Sequence, residues 1–362
     1  MRSLFILFIL ISATAFTAGA QGCVAIKSMG GMCTMDHAEM VSEAVPSKRW
    51  LFNANNRYFE SYKHFVGKEE QKQREEAGTN VINHSYTLDL ALTRIINNRW
   101  SVSIDVPMLN NTRSSLYEHG GKERHTTRSF GLGDIRLYAN YWLLDPVKSH
   151  KGNVQLGLGL KLATGDYRYT DRFYTSTGTT QIGPVDQSIQ LGDGGTGITT
   201  ELNAFYNIAR NVSVYGNFYY LFNPREQNGT SSARGGTPSA NAIANGSDVM
   251  SSPDQMMLRA GFNYSIKHLT LTAGIRNECI PVHDLLGGSL GFRRPGYITS
   301  FEPGVTYNFK KFSLYSFVPI AITRNRTQSM ADKITTANTG KYTQGDAAFA
   351  DYAVNIGLSF AF

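Results

Sequence analysis

AVNIGLSFAF, Ala353 to Phe362, ends the chain on an aromatic residue with no charged tail. Counted back from Phe360, one face carries Leu358, Ile356, Val354 and Tyr352. The other carries Ala361, Ser359, Gly357, Asn355, Ala353 and Asp351. Strict alternation predicts a β-strand with one apolar and one polar face. A soluble sandwich turns such an apolar face inward. A membrane barrel turns it toward lipid and lines its lumen with the polar face.

The same alternation recurs upstream. Trp100, Val102, Ile104 and Val106 oppose Ser101, Ser103 and Asp105, while Val154 through Leu162 oppose Asn153, Gln155, Gly157, Gly159 and Lys161. Leu269, Leu271, Ala273 and Ile275 oppose Thr270, Thr272, Gly274, Arg276 and Glu278. A wet outer face rarely prefers glycine, whereas a confined lumen accounts for it. About twelve such segments of roughly 9–11 residues fit a bilayer-spanning, all-β antiparallel barrel. They begin near Lys48, Val81, Arg99, Ser129, Asn153, Gly197, Asn211, Pro253, His268, Pro295, Lys311 and Ala348. Short connectors such as Asn97-Asn98 and Lys310-Lys311 alternate with long ones, including 67–79, 111–128, 166–196, 223–252, 282–294 and 325–347. That is the pattern of periplasmic turns and external loops, and an even strand count puts both ends of the barrel on the periplasmic side. The long loops are rich in Gly, Ser, Thr and Asn and need not pack a core. The positive excess (+7) is spread along the chain without a Lys/Arg block, so no nucleic-acid partner is expected. No sequence feature calls for a cofactor.

At the other end, MRSLFILFILISATAFTAGA reads as a signal peptide over residues 1–20. Arg2 leads an apolar run, and Ala18-Gly19-Ala20 supplies the cleavage pattern. A lipoprotein reading through Cys23 is the alternative. Residues 21–46 form a separate segment before a barrel over 47–362, either a lumen plug or a periplasmic tail. It gathers Cys23, Met29, Met32, Cys33, Met35, His37 and Met40. A Cys23–Cys33 disulfide suits an oxidising periplasm and is the favoured reading. Thiol, thioether and imidazole together also suit a soft metal such as Cu(I). Cys279 is left over as a buried or lipid-facing thiol.

Asn355, Gly357, Phe360 and Phe362 resemble the carboxy-terminal signal that outer-membrane proteins present to the barrel assembly machinery. Together with the leader, this places the chain in a Gram-negative outer membrane, with its lipid and that machinery as partners. Phe130-Gly131-Leu132-Gly133-Asp134-Ile135-Arg136-Leu137 and Leu160-Lys161-Leu162-Ala163-Thr164-Gly165-Asp166-Tyr167 resemble two segments of the meta-pathway phenol-degradation-like outer-membrane proteins. Those barrels are transporter-like and loosely akin to FadL-type channels for hydrophobic compounds. Ala163 stands where that family usually has Pro. The resemblance implies a channel for a small hydrophobic or aromatic solute and assigns no binding residue.

By parity the lumen takes Arg57, Asp89, Asp105, Asp134, Arg136, Lys161, Glu201, Arg259, Arg276, Glu278, Glu302 and Asp351. A charge facing lipid costs about 2–4 kcal/mol at the midplane, so these residues belong inside. Two readings stand: a polar pore with a local field, or a lumen cross-braced by ion pairs and nearly closed. Enzymatic readings fail, because His84 and Ser85 are strand neighbours on opposite faces and cannot act as base and nucleophile. His283-Asp284 reads as a solvated loop pair. Gly192 to Gly197 spells G-x-G-x-x-G but leads into a strand, with no helix to receive a phosphate. A surface barrel with partner-binding loops, or a copper-binding protein, are the competing functions.

Overall fold

The computed structural model describes residues 50–362. The leader, the Cys/Met/His segment, and the Cys23–Cys33 and copper readings therefore lie outside the described residues. Among those described, twelve antiparallel strands close into one barrel. In chain order they are Trp50–Val66, Ile82–Ile95, Trp100–Ser115, a fourth built of His125–Leu132 and Arg136–Trp142, then Gly152–Lys161 and Gly197–Ala209. Val212–Phe222, Gln255–Ile266, Leu269–Ile280 and Gly296–Asn308 follow, then an eleventh built of Phe312–Phe317 and Ile320–Asn325, and lastly Ala347–Ala361. The largest departure from the sequence reading is the fourth strand, which starts at His125 rather than near Ser129.

Closure is made by the first and last strands, which pair from Leu51↔Ala361 to Phe65↔Ala347 with register shifts between Phe59 and Lys63. Trp50 and Phe362 exchange backbone hydrogen bonds at 3.0 and 2.9 Å, so both ends of the barrel meet at one rim. Closing the wall pairs the two end strands with each other, which removes the open sheet edges that lipid would not tolerate, apart from one local gap beside the fourth strand. No helix among the described residues is long and apolar enough to span a membrane, and the crossing is made by strands.

The outer surface follows the expected alternation. Leu156, Leu158, Leu160, Ile275, Phe262 and Ile356 are exposed, while their sequence neighbours face inward. Trp50, Trp100, Tyr141, Tyr307, Phe309 and Phe312 ring the end that carries the short turns, with Trp100–Tyr141 centroids 4.7 Å apart and Phe309–Phe312 centroids 4.5 Å apart. Tyr58 and Tyr86, paired in register, mark the other side of the band. The rise from Trp50 to Tyr58 along a tilted strand is about 20 Å, close to the hydrocarbon band of an outer-membrane barrel.

Inside, glycine has a steric task. Tyr138 pairs with Gly159, Tyr215 with Gly261, Phe317 with Gly304, and Tyr315 with Gly357. Each ring occupies the space beside its glycine, where an added Cβ would overlap ring atoms. Aromatic-over-glycine pairs stiffen a strongly curved wall, and they need a lumen narrow enough to hold the rings.

Several strands exceed the bilayer. The first is 17 residues long, the third 16 and the last 15. The surplus extends past the membrane on the long-loop side. The stretch 111–128, read as loop, is therefore half strand, since the third strand runs to Ser115 and the fourth starts at His125.

Candidate functional site in the barrel lumen

The long loops pack a core, contrary to the reading from their composition. Polar residues supply surface, but a few apolar ones turn inward: Phe173, Val185, Ile189, Leu191, Met250 and Val282 are buried. The connection over residues 162–196 forms a hairpin, Thr170–Tyr174 with Thr180–Pro184, and then drops into the barrel mouth. There the Ile189 carbonyl accepts from Ser129 Oγ at 2.5 Å and from Asn111 Nδ2 at 3.5 Å, which fixes loop backbone to wall side chains.

Above this point the loops are joined by buried ion pairs. Glu118 accepts from Arg113 at 2.8–3.1 Å and from Arg234 at 2.8 Å. Asp186 takes both Arg294 bonds, at 2.8 and 2.6 Å, with Arg113 at 3.5 Å. Burial alone would raise the Asp186 carboxyl, yet Arg113 and Arg294 hold it well below the usual carboxylate range. Glu118 is likewise lowered: burial opposes, and Arg113 and Arg234 prevail. Asp284 is not solvated as expected. It forms a buried fork with Arg293 at 2.7 and 2.6 Å and accepts from the Asp254 N–H at 3.0 Å.

The latch that holds the inserted loop is built from the two short family-like segments. The fourth strand breaks at Gly133-Asp134-Ile135. Asp134 Oδ1 there accepts the Gly165 N–H at 3.0 Å, and Oδ2 accepts the Asp193 N–H at 3.3 Å and faces Lys161 Nζ at 3.4 Å. Lys161 also pairs with Asp193. Thr164 Oγ donates to the Gly133 carbonyl at 2.9 Å and accepts from Ile135 N at 2.8 Å. Gly192 approaches Gly165 so closely that a Cβ would meet its backbone. The G-x-G-x-x-G run thus serves close chain approach. Beside the break, His125–Leu132 pairs with the third strand but has no ladder to the fifth, so the wall is incomplete there.

Deeper in the lumen, charges form a bar. Arg259 donates to Glu302 at 2.8 Å, and Glu302 accepts from Arg276 at 3.2 Å. Arg276 donates to Glu278 at 2.9 Å, and Glu278 accepts from Arg57 at 3.1 Å. Arg57 lies on the first strand and Glu278 on the ninth, with three strands between them around the wall, so the last bond crosses the lumen. All five residues are buried, and Glu302 is 0% exposed. Asp89, Asp105, Asp134, Arg136, Lys161 and Glu201 are also buried, on the other arc of the wall. Asp351 sits apart at a register shift near the loop-side rim, half-buried against Lys63 at 2.8 Å and against Arg324.

Between bar and loop lies a small cavity of about 40 Å³. Pro107, Leu109, Leu191, Pro253 and Ile280 give it apolar walls, and Arg136, Lys161, Gln190 and Gln255 give it polar points. Cys279, next to Ile280, is a free buried thiol. At the terminus, Phe360 and Phe362 stack at 5.5 Å, and Asn355 Nδ2 donates to the Phe317 carbonyl at 3.0 Å. Among the described residues no group of three or more His, Cys, Asp or Glu is placed to hold a metal.

No protein-family model matches this chain, and no curated protein matches it. Solved structures do. The COG4313 outer membrane channel from Pseudomonas putida F1 superposes with a TM-score of 0.57 at 12% identity, covering 89% of this chain and 98% of that one. The translocator domain of autotransporter NalP from Neisseria meningitidis gives 0.46 at 12% identity over 90% and 93%. The CymD monoaromatic hydrocarbon channel gives 0.40 at 10% over 96% and 99%. The chain has the fold of the first of these, a twelve-stranded barrel of the outer-membrane type.

Proposed function

We propose that this chain is an outer-membrane channel that admits small, largely apolar molecules and is closed to hydrophilic solutes at rest. The carrying observation is the pocket under the inserted loop, where Leu109, Leu191, Pro253 and Ile280 present apolar walls beside a gap in the strand ladder. A bar of ion pairs below and a packed loop above speak against a general porin. The fold shared with an outer membrane channel supports the same reading. Residues 21–46 would meet the lumen from the periplasmic side as plug or tail. The terminal Asn355, Gly357, Phe360 and Phe362 would be read by the assembly machinery, and no enzymatic role is assigned.

Bromobenzene soaked into crystals tests this directly. Anomalous bromine signal is expected in the cavity beside Leu109, Leu191 and Ile280, and Leu191→Arg should abolish it. Signal confined to the outer apolar belt would overturn the reading. The alternative is a non-transport barrel that binds a partner through its long external loops. That alternative expects an empty cavity.

A further inference from the structure

The two arcs of the lumen wall differ in how their charges are matched. On the bar, each carboxylate has two guanidiniums. On the opposite arc, Asp89, Asp105 and Glu201 share one cation, Arg136, which reaches only Asp105, at 3.4 Å. Arg57, the other cation near Asp89, is drawn to Glu278. Asp89 is 6% exposed, and neither of its oxygens has a hydrogen-bond partner. Asn55, 2% exposed, stands directly opposite Asp89 in register and near enough to favour its charged form, but neither of its amide atoms completes a well-formed hydrogen bond. Asp105 keeps Oδ2 for Arg136 and leaves Oδ1 unpartnered. Asp89 pairs with Pro107, and Asp105 pairs with Ala91. The two carboxylates are therefore diagonal neighbours on one face, about 7 Å apart at their backbones.

Buried carboxylate oxygens without donors are costly, and side chains on closed strands cannot swing away to water. With Asp89, Asp105 and Glu201 gathered around Arg136, this arc holds more acidic groups than cations. Three contiguous oxygen-bearing side chains make a hard-donor set, which suits an alkali ion better than a divalent metal that demands more carboxylates.

We propose that Asn55, Asp89 and Asp105 form a lumen binding site for a monovalent alkali cation. Ion leakage past the bar is then cation-selective, a consequence that rests on the channel reading, whereas the site itself does not. The purified barrel in detergent should unfold at a higher temperature in KCl or NaCl than in choline chloride of equal ionic strength. The expected rise is saturable and about 2 °C or more. Asp89→Asn, which removes the unmatched charge at constant shape, should fold and lose the rise, whereas Asp351→Asn at the rim should keep it. Equal unfolding temperatures in wild type, or a rise that survives Asp89→Asn, would overturn the site. In planar bilayers under a KCl gradient, the reversal potential should carry the sign of cation preference and move toward zero in Asp89→Asn. An anion-signed potential overturns the site. A silent bilayer counts against the channel alone, and the unfolding comparison still decides the site.

Discussion

Gly357 illustrates how much one position can be asked to do. It belongs to the terminal pattern expected to signal assembly, and it also lies under the Tyr315 ring, whose hydroxyl donates to Asn53 Oδ1 at 3.0 Å. Gly357→Val should cost about 1–3 kcal/mol by overpacking. Combining it with Tyr315→Ala should cost less than the sum of the two single changes, because the clash disappears with the ring. Urea unfolding in detergent measures this coupling, and strict additivity would show that the ring does not rest on the glycine. On the other face, Leu158 is 60% exposed toward lipid. Leu158→Arg should lower the heat-modifiable folded fraction and cost about 2–4 kcal/mol. An unaltered folded fraction would reverse the assigned face of that strand.

At the scale of elements, the strands were legible in the sequence and the loops were not. Period-two alternation is a local signal, and each strand from Trp50–Val66 to Ala347–Ala361 carries it within its own residues. The inserted loop owes its position to partners far along the chain, as in Arg113 with Asp186 or Arg294 with Asp186. No window of sequence contains both members of such pairs. The same holds for the lumen: parity names Arg57 and Glu278 as inward, but their bond across the barrel follows only from closure. Asp134 and Thr164 stood out in short motifs whose role, latching the loop to a broken strand, needs the two motifs side by side. The loop cluster also has a pH signature. Asp186 and Glu118 have folded-state pKa values below their unfolded values, so their contribution is fully present above the ordinary carboxylate range. It fades as pH falls through the depressed values. Proteolytic cleavage within 162–196 should therefore stay slow from neutral pH to about 4 and accelerate only in stronger acid. Acceleration already between pH 7 and 5 would mean that other groups hold the loop.

Taken whole, the molecule is a lipid-facing wall around a filled interior. Aromatics over glycine narrow the barrel, the Arg259–Glu302–Arg276–Glu278–Arg57 bar crosses it, and a pinned loop covers it, with a small apolar-walled pocket beneath the loop beside an incomplete stretch of wall. These features together make a selective passage for small apolar molecules the central claim. Its most direct measurement is paired uptake of radiolabelled toluene and arabinose by Gram-negative cells expressing the full chain, compared with cells carrying the empty vector. Toluene uptake should rise several-fold while arabinose uptake stays at the vector level. Increased arabinose uptake would contradict the closed interior, and unchanged toluene uptake would contradict the channel.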